Sequence, residues 1–137
     1  MLTRAGELFA QLTQGSFERL SVDFDQSPMV LQGRRDDGRL VPISGMSDGT
    51  RDQLYLALRL AALELHLGQA TALPLIADDL FINYDDTRTR AGLSVLSQLS
   101  RQTQVIFLTH HASVAQAVQD MLGTDINVVS LDSTLST

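Results

Sequence analysis

Ala5, Leu8, Phe9 and Leu12 recur three and four residues apart, which predicts an amphipathic helix over residues 4 to 13, stopped near Gly15. Leu20, Val22 and Phe24 then alternate with polar residues, as a half-buried strand requires. Two more short strands, Met29 to Arg34 and Arg39 to Pro42, flank Asp36-Asp37-Gly38, and Asp-Gly between such runs predicts a hairpin turn. From Thr50 to Leu67 the spacing becomes helical, with Leu54, Tyr55, Leu56, Leu58, Leu60, Leu63 and Leu65 placed nearly all round. A helix of that kind is expected to lie buried between layers. Thr50-Arg51-Asp52-Gln53 reads as a capping box at its start, and Gly68 as its stop.

Short apolar runs and amphipathic stretches then take turns. Leu73 to Ala77 predicts a strand, Thr87 to Ser100 a helix with Leu93, Leu96 and Leu99 inward, and Val105 to Leu108 a strand. Ser113 to Leu122 predicts a helix, with Val114, Val118 and Met121 on one side, and Ile126 to Leu131 a last strand. This alternation indicates parallel βαβ units. The fold class is therefore α/β, an antiparallel β-hairpin region followed by a parallel sheet. No linker separates the two, so the 137 residues read as one domain or one lobe of one.

Composition narrows the chemistry. The chain is 44% apolar, enough for a packed core, and carries a net charge of −6, which argues against coating in nucleic acid by bulk charge. With no cysteine, disulfides, cysteine-zinc sites and thiol catalysis are excluded. All ten basic residues are arginine, so this chain contains no P-loop lysine and no lysine Schiff base. No apolar run is long enough to cross a membrane, and the first residues lack a signal-peptide layout; a cytoplasmic location is expected.

Polar residues gather where the parallel strands end, the usual place for a ligand in such sheets. Asp78 and Asp79 close one strand, Thr109, His110 and His111 the next, and Asp85 and Asp86 lie in the loop after the first. Each has a structural reading as well: Asp86 as the cap of the following helix, the acid pair as a turn, the histidines as a polar strand end. Met46-Ser47-Asp48-Gly49-Thr50 is the other concentration. It reads as a turn and helix cap, or as an anion site at the positive end of a long helix.

In combination these segments resemble the C-terminal lobe of an ABC-type ATPase head of the SMC/SbcC-like class, most of all its YhaN-type ATPases. Met46 to Thr50 matches the signature motif, Leu75 to Asp79 Walker B, Ile82 to Asp85 the D-loop and His110 the switch histidine. Ser47 and Asp78 are 31 residues apart, a gap more like SMC-type heads than transporter cassettes. The resemblance implies a lobe in three parts: residues 1–15 as the end of a returning coiled-coil helix, 16–45 as the β-hairpin region, and 46–137 as the α/β part. The chain would then start within a longer protein.

The resemblance further implies ATP and Mg²⁺ as cofactors. Ser47, Asp48, Gly49 and Thr50 would meet the nucleotide of the opposite protomer, Ser47 and Gly49 at its γ-phosphate. Asp78 would hold Mg²⁺, Asp79 would position the attacking water, His110 would reach the γ-phosphate and Asp85 would cross the dimer interface. The implied partners are the N-terminal Walker A half of the same protein, a second copy across an ATP sandwich and, through the complete protein, a metallo-nuclease and DNA in repair or DNA-end processing. ATP hydrolysis is expected of the complete protein and not of this chain by itself.

Three positions depart from the family pattern. Walker A is absent, Asp48 replaces a glycine, and Asp79 stands where a longer glutamate is usual. The Asp48 carboxylate has two local uses, capping the helix or pairing with an arginine such as Arg51. Two rival readings follow: a non-hydrolysing dimerisation or regulatory module, and a metal-dependent phosphoesterase built from Asp78, Asp79, Asp85, His110 and His111.

Overall fold

The computed structural model describes residues 1–67, 74–78, 80–81 and 84–131. The predicted stop at Gly68, the first residue of the predicted strand at Leu73, and Asp79, Ile82 and Asn83 lie outside the described residues.

Helix α1 (Leu2–Leu12) buries Ala5, Leu8, Phe9 and Leu12, the stripe its periodicity predicts. It packs on β1 (Phe17–Asp23), which pairs antiparallel with β2 (Val30–Arg35), itself paired with β3 (Leu40–Pro42). The β2–β3 turn closes through Gly38, whose φ of +89° a side chain would oppose. Helix α2 (Asp48–Leu67) lays Leu54, Ala57, Leu60 and Ala61 into the core, with α1 packed against it. Arg4 of α1 and Glu64 of α2 fasten the two helices by a two-pronged ion pair, Nε to Oε2 at 2.6 Å and Nη2 to Oε1 at 3.0 Å. The pair holds the Arg4 guanidinium well above its usual range.

The second part contains β4 (Leu75–Asp78), α3 (Asp86–Leu99), β5 (Val105–Leu108) and α4 (Ala112–Leu122). β4 and β5 are parallel, registered from Leu75 opposite Val105 to Asp78 opposite Leu108, as the βαβ reading requires. Leu93, Val95, Leu96 and Leu99 of α3 join the same core as α1 and α2, so the two parts share one interior.

Three expectations are corrected. The capping box does not form: α2 begins two residues before Thr50, and Gln53 turns inward, 1% exposed, to donate from Nε2 to the Leu12 carbonyl at 2.6 Å. Helix α2 is not enclosed on all sides, since Tyr55 and Leu65 are both 51% exposed. Residues 126–131 form no strand, and Val128, Val129 and Leu131 are exposed. The physical reason is shared by the last two. Apolar residues bury only against a partner layer, and a strand exists only beside another strand.

Candidate functional site

The start of α2 is built by its own side chains. Ser47 accepts the Thr50 N–H on Oγ at 3.2 Å and donates its hydroxyl to Thr50 Oγ1 at 2.8 Å, so Ser47 caps the helix. Asp48 pairs with Arg51 one turn on, which offsets the carboxylate that departs from the family pattern. Ser47 and Asp48 are exposed, Thr50 is half-buried and Gly49 is buried.

At the other concentration, Asp78 ends β4 in an exposed position, and His110 lies two residues beyond Leu108, the β5 partner of Asp78. The parallel register therefore brings Asp78 and His110 to the same end of adjacent strands. The His110 ring lies 4.6 Å from that of His111, whose Nε2 is buried with no hydrogen-bond partner among the described residues. The His111 N–H donates to Thr109 Oγ1 at 3.1 Å. Asp79 lies outside the described residues.

Asp85, not Asp86, caps α3: its carboxylate accepts the Arg88 N–H at 2.8 Å, while Asp86 is the first helical residue. The segment leading to it is held by Phe81, 2% exposed, with ring centroids 5.4 Å from Phe107 and 5.2 Å from Tyr84. Phe81 fits because Gly92 of α3 has no Cβ; a methyl there would stand 2.4 Å from Phe81 Cε1. Burial first, and the Asp52 carboxylate second, hold the Tyr84 phenol above its ordinary range, with Arg88 opposing. Asp52, Arg59, Asp78 and Tyr84 all line a cavity of about 240 Å³ between α2 and the end of β4.

Sequence reading missed Phe81, Tyr84 and Gly92 as positioning residues. A loop has no periodicity to reveal them, and a glycine inside a helical pattern was the one available sign. Among the described residues no three His, Asp or Glu side chains stand together as a metal site. Asp79, which the phosphoesterase reading also names, lies outside the described residues.

The fold has known counterparts. A structure from work on ATP-driven dimerization and DNA stimulated activation of SMC ATPases superposes with a TM-score of 0.66 at 17% identity, covering 83% of this chain and 69% of that one. The Pyrococcus furiosus Smc head domain, solved with an extended coiled coil and bound to the C-terminal domain of ScpA, gives 0.61 at 20% identity, over 83% and 29% of the two chains. The SMC head domain from Thermotoga maritima gives 0.58 at 21% identity, over 85% and 40%. The chain thus has the fold of the C-terminal lobe of an SMC-like ATPase head. In sequence the chain is similar to the uncharacterized protein YhaN of Bacillus subtilis (strain 168), at 34% identity over 119 residues. That match covers 85% of this chain, and the chain spans 12% of the length of that protein. No family model matches the chain. No described helix is long and apolar enough to cross a membrane.

Proposed function

We propose that this chain is the C-terminal half of an ATPase head that binds and hydrolyses ATP at a dimer interface when joined to a half carrying Walker A. The observation that carries the reading is the presence of two polar ends: the exposed Ser47 hydroxyl with Thr50 at the start of α2, and Asp78 and His110 at the carboxyl ends of β4 and β5.

The uncovered surface supports a missing half. β4 and β5 are apolar on both faces, yet only Leu75, Ala77, Val105 and Phe107 turn toward the core, while Ile76, Ile106 and Leu108 are exposed. Parallel sheets are ordinarily covered on both faces. The unpaired segment 126–131 calls for a neighbouring strand in the same way.

The residues present fit the cofactors. Asp78 offers one exposed carboxylate, the hard oxygen ligand suited to Mg²⁺, and Ser47 and Thr50 offer hydroxyls beside the free N–H groups of a helix start, suited to phosphate. Bound Mg²⁺ would supply charge neutralisation on the phosphates. In this reading Ser47 and Thr50 orient the nucleotide of the facing protomer, with Gly49 letting backbone approach it. His110 donates to its terminal phosphate, Asp85 meets the facing protomer and Asp79 orients water. Pairing with Arg51 removes the conflict that Asp48 would create. A role with DNA, or beside a nuclease, belongs to the complete protein, because this acidic chain offers no bulk positive charge.

The test is to join the chain to its Walker A half and measure ATP turnover. Hydrolysis that Asp79→Asn abolishes, with ATP-bound dimers accumulating, is the expected result. ATP-dependent dimers without turnover would favour the non-hydrolysing module.

A further inference from the structure

A second cavity, of about 230 Å³, lies where the ends of α1 and β2 and the first turns of α2 and α3 meet. Its wall includes Thr50, Gln53, Arg35 and Arg88, with Asp85 as its single carboxylate. Neither Arg35 nor Arg88 forms an ion pair within 4.0 Å among the described residues, although the exposed Asp37 feels the Arg35 charge at longer range. Arg35 is stacked with its guanidinium carbon 5.1 Å from the centre of the Phe17 ring, and its Nε is buried with no acceptor among the described residues. Asp85 is already engaged, its carboxylate accepting the Arg88 N–H.

We infer that this cavity binds a phosphate group through Arg35 and Arg88. Arg35 Nε is closed to solvent, so an entering anion would meet the outer Nη groups of the guanidinium, whose charge no described carboxylate pairs within 4.0 Å. Two arginines against one engaged carboxylate leave net positive charge in a pocket of polar side chains, on a chain whose overall charge is −6. A planar guanidinium suits phosphate because it donates two parallel N–H groups. Thr50 and Asp85 belong to both readings, but Arg35 and Arg88 take no part in the ATP-dimer reading, so the two arginine variants test the inference separately from it.

Calorimetric titration of the chain with sodium phosphate at fixed ionic strength tests it. Saturable binding is expected, weakened ~tenfold or more by Arg35→Gln and by Arg88→Gln, as loss of a charge-assisted contact implies. Asp85→Asn keeps a cap for α3 but removes the opposing charge, so it should tighten binding. Arg101→Gln, outside the cavity, should change nothing. Circular dichroism confirms that each variant is folded; should Arg35→Gln unfold, Arg88→Gln and Asp85→Asn carry the test. A parallel titration with ADP separates the sources: equal affinity indicates a site for the free ion, and tighter binding a site for nucleotide phosphates. Failure of the unmodified chain to bind phosphate saturably, or binding that neither arginine variant weakens, would overturn the inference and leave Arg35 as a stacking residue only.

Discussion

Ser47 and Thr50 close a small ring at the start of α2, the Ser47 hydroxyl donating to Thr50 Oγ1 at 2.8 Å while accepting the Thr50 N–H at 3.2 Å. The side chain that the family pattern assigns to a facing nucleotide is thus already a helix cap. Both roles are compatible, because the hydroxyl is exposed. Ser47→Ala should cost ~1 kcal/mol of stability, whereas Ser47→Asn, which also caps, should cost less. Urea unfolding of the two variants checks this; equal losses would mean that the cap contributes nothing.

Gly92→Ala should destabilise the chain despite the better helix propensity of alanine. The added methyl would meet the Phe81 ring at 2.4 Å, and overpacking of that kind costs ~1–3 kcal/mol, against a propensity gain of ~1. Adding Phe81→Leu should return part of the loss, since the clash is with the ring. Thermal unfolding of the single and double variants measures the coupling. Strict additivity would show that Gly92 and Phe81 do not constrain one another.

Tyr84 gives a pH dependence. Its folded-state phenol is held above the ordinary range by burial and by Asp52, so above pH about 10 the unfolded chain releases a proton that the folded chain keeps. Stability should therefore be unaffected below that pH and fall as pH rises through it. Tyr84→Phe should flatten this alkaline decline. Ultraviolet titration should show a phenol ionising above the ordinary tyrosine range that Tyr84→Phe lacks, and its absence from the unmodified chain would contradict the buried environment.

Much of the fold is legible where a residue's burial depends on neighbours in this chain. The inward stripe of α1, the Asp-Gly turn at Gly38 and the parallel β4–β5 pair all match their patterns. Residues 126–131 and the outer face of α2 mislead for one reason. Their apolar residues are suited to partner layers that the described residues do not include. Caps were displaced by one to three residues, because several adjacent polar side chains could serve and only local geometry selects Ser47 and Asp85. Arg35 and Arg88, distant in sequence, could be joined only by the fold.

The most direct test uses a Ser47→Asp substitution in the complete protein. Aspartate can still cap α2, so folding should be preserved, yet its charge would oppose a phosphate presented by a second copy. Sedimentation with and without ATP should show the unmodified protein dimerising on nucleotide, and Ser47→Asp binding ATP normally while remaining monomeric. A charge-assisted contact is worth ~1.5–3 kcal/mol, so association should weaken by about tenfold to a hundredfold at least. ATP-driven dimers of Ser47→Asp as strong as those of the unmodified protein would contradict the assignment of α2 to a facing nucleotide.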